Sequence, residues 1–247
     1  MRHFENGKFG LIHTPPERLK LVPHLLDYLP TAPALPVIAD STDYSLPLPN
    51  GLWGMLGNDQ YGDCVEVALV NAICTQAQNA KVQVPQYTTD QVLAMYSAIT
   101  GFKKSDPSTD NGTDPVDMLN WAQAQGLIVG WGQVPINDLG RLATAINLFG
   151  CVIAAVQVPE NWMDSTTWDA NGGPIEGGHA IVLPSYDRTG NCKVETWAEL
   201  VKLTPAGRAQ YGVAAYGIIT KPWLGGNNQT IQGFDLADLQ SALQAVA

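Results

Sequence analysis

Cys64 closes the segment Gly57-Asn58-Asp59-Gln60-Tyr61-Gly62-Asp63-Cys64, just ahead of a long apolar stretch of helical character. A thiol at a helix start feels the positive end of the helix dipole, which favours the nucleophilic thiolate. Far downstream stand Gly177-Gly178-His179-Ala180 and then Glu195-Thr196-Trp197. A cysteine, a histidine and a carboxylate in that order can supply a nucleophile, a base and a group that orients the base. Each residue taken singly has a plainer reading. Cys64 could be a buried thiol, His179 a satisfied core histidine, Glu195 a partner of Lys193 or another lysine, and Asn58 a turn residue. Gly177 and Gly178 weigh against a core histidine, because paired glycines permit close backbone approach.

The elements that must position these residues fall into two halves. Residues 64–78 are apolar nearly all round, which predicts a buried helix. Further helices are predicted from Thr89-Asp90 through Ile99, from Asp114-Pro115 toward Gly126, and from Asp138 to the stop at Gly150. Then the pattern changes. Cys151–Val158, His179–Tyr186, Cys192–Leu203 and Tyr216–Thr220 read as strands from their β-branched and aromatic content. Asn161–Glu176 reads as a long surface loop, and Asp235–Ala247 as a short amphipathic helix. The cysteine thus lies on a helical lobe and the histidine on a β lobe, with a cleft between them. Ahead of both, residues 1–45 carry Pro15, Pro16, Pro23, Pro30, Pro33 and Pro36. They predict an extended arm with one helical turn near Glu17–Tyr28, apolar enough to pack on its own domain or on a neighbouring subunit. The tryptophans other than Trp197 read as packing anchors.

The chain has 247 residues, a net charge of −10 and 45% hydrophobic residues. That acidity, without any run of Lys and Arg, argues against nucleic acid as a partner. No apolar stretch is long enough for a membrane span, and the N-terminus has no apolar core of signal-peptide type. A soluble cytoplasmic or virion-associated protein is expected. Cys64, Cys74, Cys151 and Cys192 form no metal-binding spacing with the four histidines, so neither a metal nor a cofactor is expected.

Two local patterns carry a family resemblance. In Asn58…Gly62-Asp63-Cys64 an amide side chain falls six positions before the thiol and a glycine two before it. His179 is followed sixteen residues later by Glu195-Thr196-Trp197. Together with Asp110-Asn111-Gly112-Thr113 and the strand after Gly150, these resemble the papain-like cysteine peptidases, bacterial and phage members included, over roughly residues 46–223. The resemblance implies an α+β, two-lobed papain-like fold. Its helical lobe would span about 46–150, its antiparallel β lobe about 151–223, and a tail 224–247. It implies Cys64 as nucleophile, His179 as base, Glu195 as the residue orienting the imidazole, and Asn58 as an oxyanion donor beside the Cys64 N–H, with Gln60 as a substitute. Trp197 would shield the imidazole.

The chain departs from the family pattern at three positions. Asn58 is one methylene shorter than the usual Gln, Glu195 replaces Asn, and Asp63 brings a charge next to the thiol that opposes its ionisation. Two functions follow. One is a thiol hydrolase cleaving peptide or amide bonds of a peptide or protein substrate through a Cys64 acyl-enzyme. The other is a catalytically weak or inactive papain-fold structural protein, such as a phage-particle subunit, meeting neighbouring subunits through its arm. An open cleft with Cys64 and His179 face to face would favour the first, and a cleft filled by the arm the second.

Overall fold

The two hydrophobic periodicities of the sequence become two layers that share one sheet. The computed structural model describes Phe4 and residues 6–25, 40–45 and 53–224. After the short α1 (Pro16–Leu19) and the two-residue β1 (Thr42–Asp43) comes α2 (Cys64–Asn79). Every residue of α2 from Cys64 to Ala77 is buried, as its all-round apolar composition requires. α3 (Thr89–Thr100) opens on a capping box between Thr88 and Gln91 and ends at the left-handed Gly101. α4 (Pro115–Ala124) opens with the Asp114 side chain accepting the Val116 N–H. β2 (Gly130–Val134) precedes α5 (Leu139–Phe149), which Asp138 caps and Gly150 terminates.

The rest of the chain is strand-rich. In order come β3 (Val152–Pro159), β4 (Thr167–Trp168), β5 (Ile175–Leu183), β6 (Ser185–Tyr186), β7 (Cys192–Thr196) and β8 (Glu199–Leu203). α6 (Pro205–Tyr211) and β9 (Gly212–Ile219) follow. Seven strands form one sheet in the order β2-β9-β3-β5-β7-β8-β4, antiparallel except where β4 meets β8. β1 pairs with β6 beside it.

Both faces of the central strands are covered, so successive residues enter different cores. Val152, Ala154 and Val156 of β3 join the core built with α5, whereas Ile153 and Ala155 join the core built with α2 and α4. β5 alternates the same way. Ala180 and Val182 face the α2 side, and Ile181 and Leu183 face the other. Among the described residues no helix is long and apolar enough to cross a membrane, and no group of three or more potential metal ligands occurs. The four cysteines are buried and free.

Four sequence expectations change. The run Cys192–Leu203 is not one strand but the hairpin β7–β8, turning at Trp197 and Ala198, which both take positive φ (46° and 61°). The stretch Asn161–Glu176 lies largely at the surface, as expected, but it is not all loop. It carries part of a 3-10 turn, β4 and the start of β5, and its Trp162 and Trp168 are fully buried with rings stacked 4.6 Å apart. β2 and α6 were not expected, because Gly130 and Gly132 mask the strand and the helix is only seven residues long. The helical turn expected near residues 17–28 forms at Pro16–Leu19, while residues 26–39 and the helix expected at 235–247 lie outside the described residues.

Candidate active site

Cys64 is the first residue of α2, and Asp63 occupies the cap position without making a side-chain cap bond. The thiol is 1% exposed. The main-chain N–H groups of Ala180 in β5 and Gly10 in the arm lie close enough to its sulfur to favour the charged form. Burial outweighs them, with smaller contributions from the carboxyls of Glu66 and Asp63, and pushes the thiol up to about 12. The acidifying effect expected from a helix start is therefore overcome in this arrangement.

His179 lies one residue before Ala180, on the opposite face of β5 and 2% exposed. Its Nε2 shares a 2.8 Å hydrogen bond with Thr196 Oγ1, and its ring stacks on Trp197 with centroids 4.2 Å apart. Its Nδ1 is buried and meets no hydrogen-bond partner, so no thiol–imidazole hydrogen bond is formed. Burial pushes the imidazole down to about 3, which keeps it neutral. At rest the two groups are thus a neutral thiol and a neutral imidazole, not a thiolate–imidazolium pair.

Two expected site residues lie close by but do other things. Glu195 does not reach His179. Its side chain points to the α2 side, where Oε1 accepts a 3.1 Å hydrogen bond from Asn71 Nδ2, and burial pushes it up to about 8. Thr196, its neighbour in β7, holds the imidazole instead. Adjacent strand residues face opposite sides, so the sixteen-residue offset lands on the wrong face and the seventeen-residue offset on the right one. Asn58 is buried, and its Nδ2 donates to the Tyr61 carbonyl at 3.0 Å, which ties the amide into its own loop. Gln60 is exposed beside Asp59. Lys193, the alternative partner considered for Glu195, pairs with Asp43 at 2.6 Å.

The arm runs through this region. Lys8 N–H donates to the Asn58 carbonyl at 2.8 Å, and Leu11 N–H to the Gly178 carbonyl at 3.1 Å. Thr113 N–H donates to Gly10 O at 2.8 Å, and Ile12 N–H to Thr113 O at 3.0 Å. The Phe9 ring meets those of His179 and Trp197 edge-on, at 6.4 and 5.9 Å. Leu11 enters the same core as Cys64, Ala155, Ala180 and Tyr216. Three glycines allow the close approach: a Cβ at Gly10 would lie 1.8 Å from the Gly62 carbonyl oxygen, and one at Gly112 would lie 2.1 Å from Gly10 O. The strap is pinned on either side. Phe4 N–H donates to Met163 O, Thr14 Oγ1 donates to Asp114, and Arg18 forms ion pairs with Asp114 and Asp117 at 2.8 and 2.7 Å.

At the level of the fold the chain is similar to solved cysteine proteases. Xylellain, a cysteine protease from Xylella fastidiosa, superposes with a TM-score of 0.56 at 13% identity, over 89% of this chain and 98% of its own. The bromelain protease of Ananas comosus gives 0.57 at 10% identity, over 74% and 100%. The fold is papain-like. The Carica candamarcensis cysteine protease CMS1MS2 matches it too, at 0.52 and 14% identity, over 74% of this chain and 99% of its own. No family model and no curated relative match the sequence.

Proposed function

We propose that the protein is a papain-fold thiol hydrolase of peptide or amide bonds, held latent by its own N-terminal segment. One observation carries this reading: the Cys64 sulfur lies between the main chain of Ala180, next to His179, and that of Gly10 in the strap. Residues 8–12 fill the groove beside the thiol with main-chain hydrogen bonds of the kind an extended peptide makes when it adds to a strand or loop edge. Withdrawal of the strap would let water reach Cys64 and His179 and relax the burial that now keeps both neutral. His179 Nδ1, already without a partner, could then take the thiol proton while Thr196 holds Nε2. Cys64 would attack the carbonyl carbon, and its own N–H would stabilise the oxyanion. Asn58, already engaged with Tyr61, would join only after a loop rearrangement.

The test is labelling by an electrophilic peptide probe. The unmodified chain is expected to label slowly. Gly10→Val, whose side chain cannot fit against Gly62, is expected to label at least tenfold faster. Cys64→Ala and the double variant Gly10→Val/His179→Ala are expected not to label. Equal labelling of Gly10→Val with and without His179 would sink the activated-thiol reading.

The filled cleft favours a second reading: a non-catalytic papain-fold protein that uses its arm within an assembly, such as a phage particle. Absence of labelling in Gly10→Val from pH 5 to 9, with the strap shown to be released, would favour it.

A further inference from the structure

Asp63 and Glu66 flank Cys64 at the start of α2, and both are fully buried. Glu66 Oε1 accepts from Thr113 Oγ1 at 2.7 Å. Glu66 Oε2 and both oxygens of Asp63 meet no aligned donor. The Asn58 amide lies near enough to Asp63 to favour its charge slightly, without completing a hydrogen bond. Thr113 is also the residue whose N–H and carbonyl hold Gly10 and Ile12. Glu66 therefore bonds the anchor of the strap directly, and Asp63, with both oxygens unpaired, follows Gly62, the residue against which Gly10 of the strap packs.

The surroundings offer little that would welcome a charge. Asp59 and Asp110 face Asp63, and both disfavour its ionisation. Tyr96 of α3 faces Glu66, with its hydroxyl donating to Asp110 and accepting from Gly112. Cys64, the intervening thiol, feels both carboxyls. β5 brings His179, which is neutral, and the Ala180 main chain. From α4 and its cap come Asp117 and Asp114, both engaged by Arg18. Among the described residues no cation pairs with Asp63 or Glu66.

We infer that Asp63 and Glu66 form a proton-operated latch for the strap: protonated, they hold residues 9–12 in the cleft, and ionised, they release them. The consequence for catalysis rests on the function proposed above, whereas the latch itself does not. Burial, with smaller pushes from Asp110 and Asp59 on Asp63 and from Asp63 on Glu66, raises both groups to about 8 in the closed form. With the strap withdrawn and water admitted, they would return toward the ordinary carboxylate value of about 4. The closed form then binds more protons than the open one. As pH rises from about 4 to about 8, the closed-to-open ratio falls by up to tenfold per unit for each proton released. Acid keeps the cleft shut and mild alkali opens it.

Hydrogen exchange tests the latch without catalysis. The full-length Cys64→Ala chain removes the thiol titration, and protection of the Leu11 and Ile12 amides is followed from pH 5 to 9, corrected for the intrinsic pH dependence of exchange. Protection is expected to fall at least tenfold between pH 6 and 8, while β3 amides, which need global unfolding, stay more protected than the strap at every pH. In Asp63→Asn/Glu66→Gln it is expected to stay flat. Glu66→Gln alone, which keeps an acceptor for Thr113 and guards against a misfolded double variant, is expected to give a shallower fall. A fall equally steep in both variants, no fall in the parent, or strap amides as well protected as those of β3 would overturn the latch. Probe labelling of the thiol-bearing chain at pH 8 separates the two ideas: strap release with no labelling leaves the latch standing and removes the hydrolase.

Discussion

Thr196 does for His179 what the sequence assigned to Glu195, and the difference is one of charge as well as position. A hydroxyl can fix the ring but gives an imidazolium far less support than a carboxylate. Within the released Gly10→Val background, Thr196→Val is expected to slow probe labelling by about two- to tenfold, the worth of one neutral hydrogen bond, and Thr196→Ser to restore it. Glu195 belongs to the core. Glu195→Gln is expected to change stability little at pH 6, because the buried acid is already protonated there. Glu195→Ala orphans the Asn71 amide and is expected to cost about 1–3 kcal/mol in denaturant unfolding, with labelling in the released background unchanged.

Element by element, what could be read from sequence is what local chemistry decides. Asp114 and Asp138 cap helices through their own side chains, and Gly101 and Gly150 end them in left-handed conformations. α6 carried the same kind of signal, Thr204 as cap with Pro205 after it, but is too short for its periodicity to show. The candidate site was legible in its nucleophile and histidine, and only ambiguously in its third member, because which of two adjacent β7 residues faces His179 depends on strand register. The hairpin turn was hidden because neither Trp197 nor Ala198 is a residue that favours positive φ. Their conformation is imposed by the packing of Trp197 among Phe4, Phe9, Trp168 and His179. Ala198→Gly should relieve the left-handed strain by roughly 1 kcal/mol, raising Tm by about 2–4 °C in a thermal melt.

Across the whole molecule, the balance of buried acids sets a pH preference. Asp63, Glu66 and Glu195 are each pushed up to about 8 by burial. An acid whose folded value is raised stabilises the fold fully below its unfolded value near 4 and loses that contribution as pH rises toward 8. The Tm is therefore expected to be higher at pH 5 than at pH 8, and Glu195→Gln to narrow that gap. A Tm that rises between pH 5 and pH 8 would contradict these assignments. The long-range placement of the arm lay beyond sequence reading, since it depends on Gly10 meeting Gly62 and Gly112, residues far apart in the chain. The prolines announce extended backbone but not what it lies on.

The strap is fastened at both ends, by Phe4 to Met163 on one side and by Thr14 and Arg18 to Asp114 on the other. An occupant tethered in this way has no dissociation constant in the ordinary sense. Its local concentration at the cleft is set by a few residues of chain, on the order of millimolar or above. Dilution cannot free the site, and a competing peptide must outbid that local concentration before it registers. Dose–response curves for any competitor should therefore be independent of protein concentration, and a single backbone cut between residues 12 and 16 would turn a fixture into a ligand that washes away.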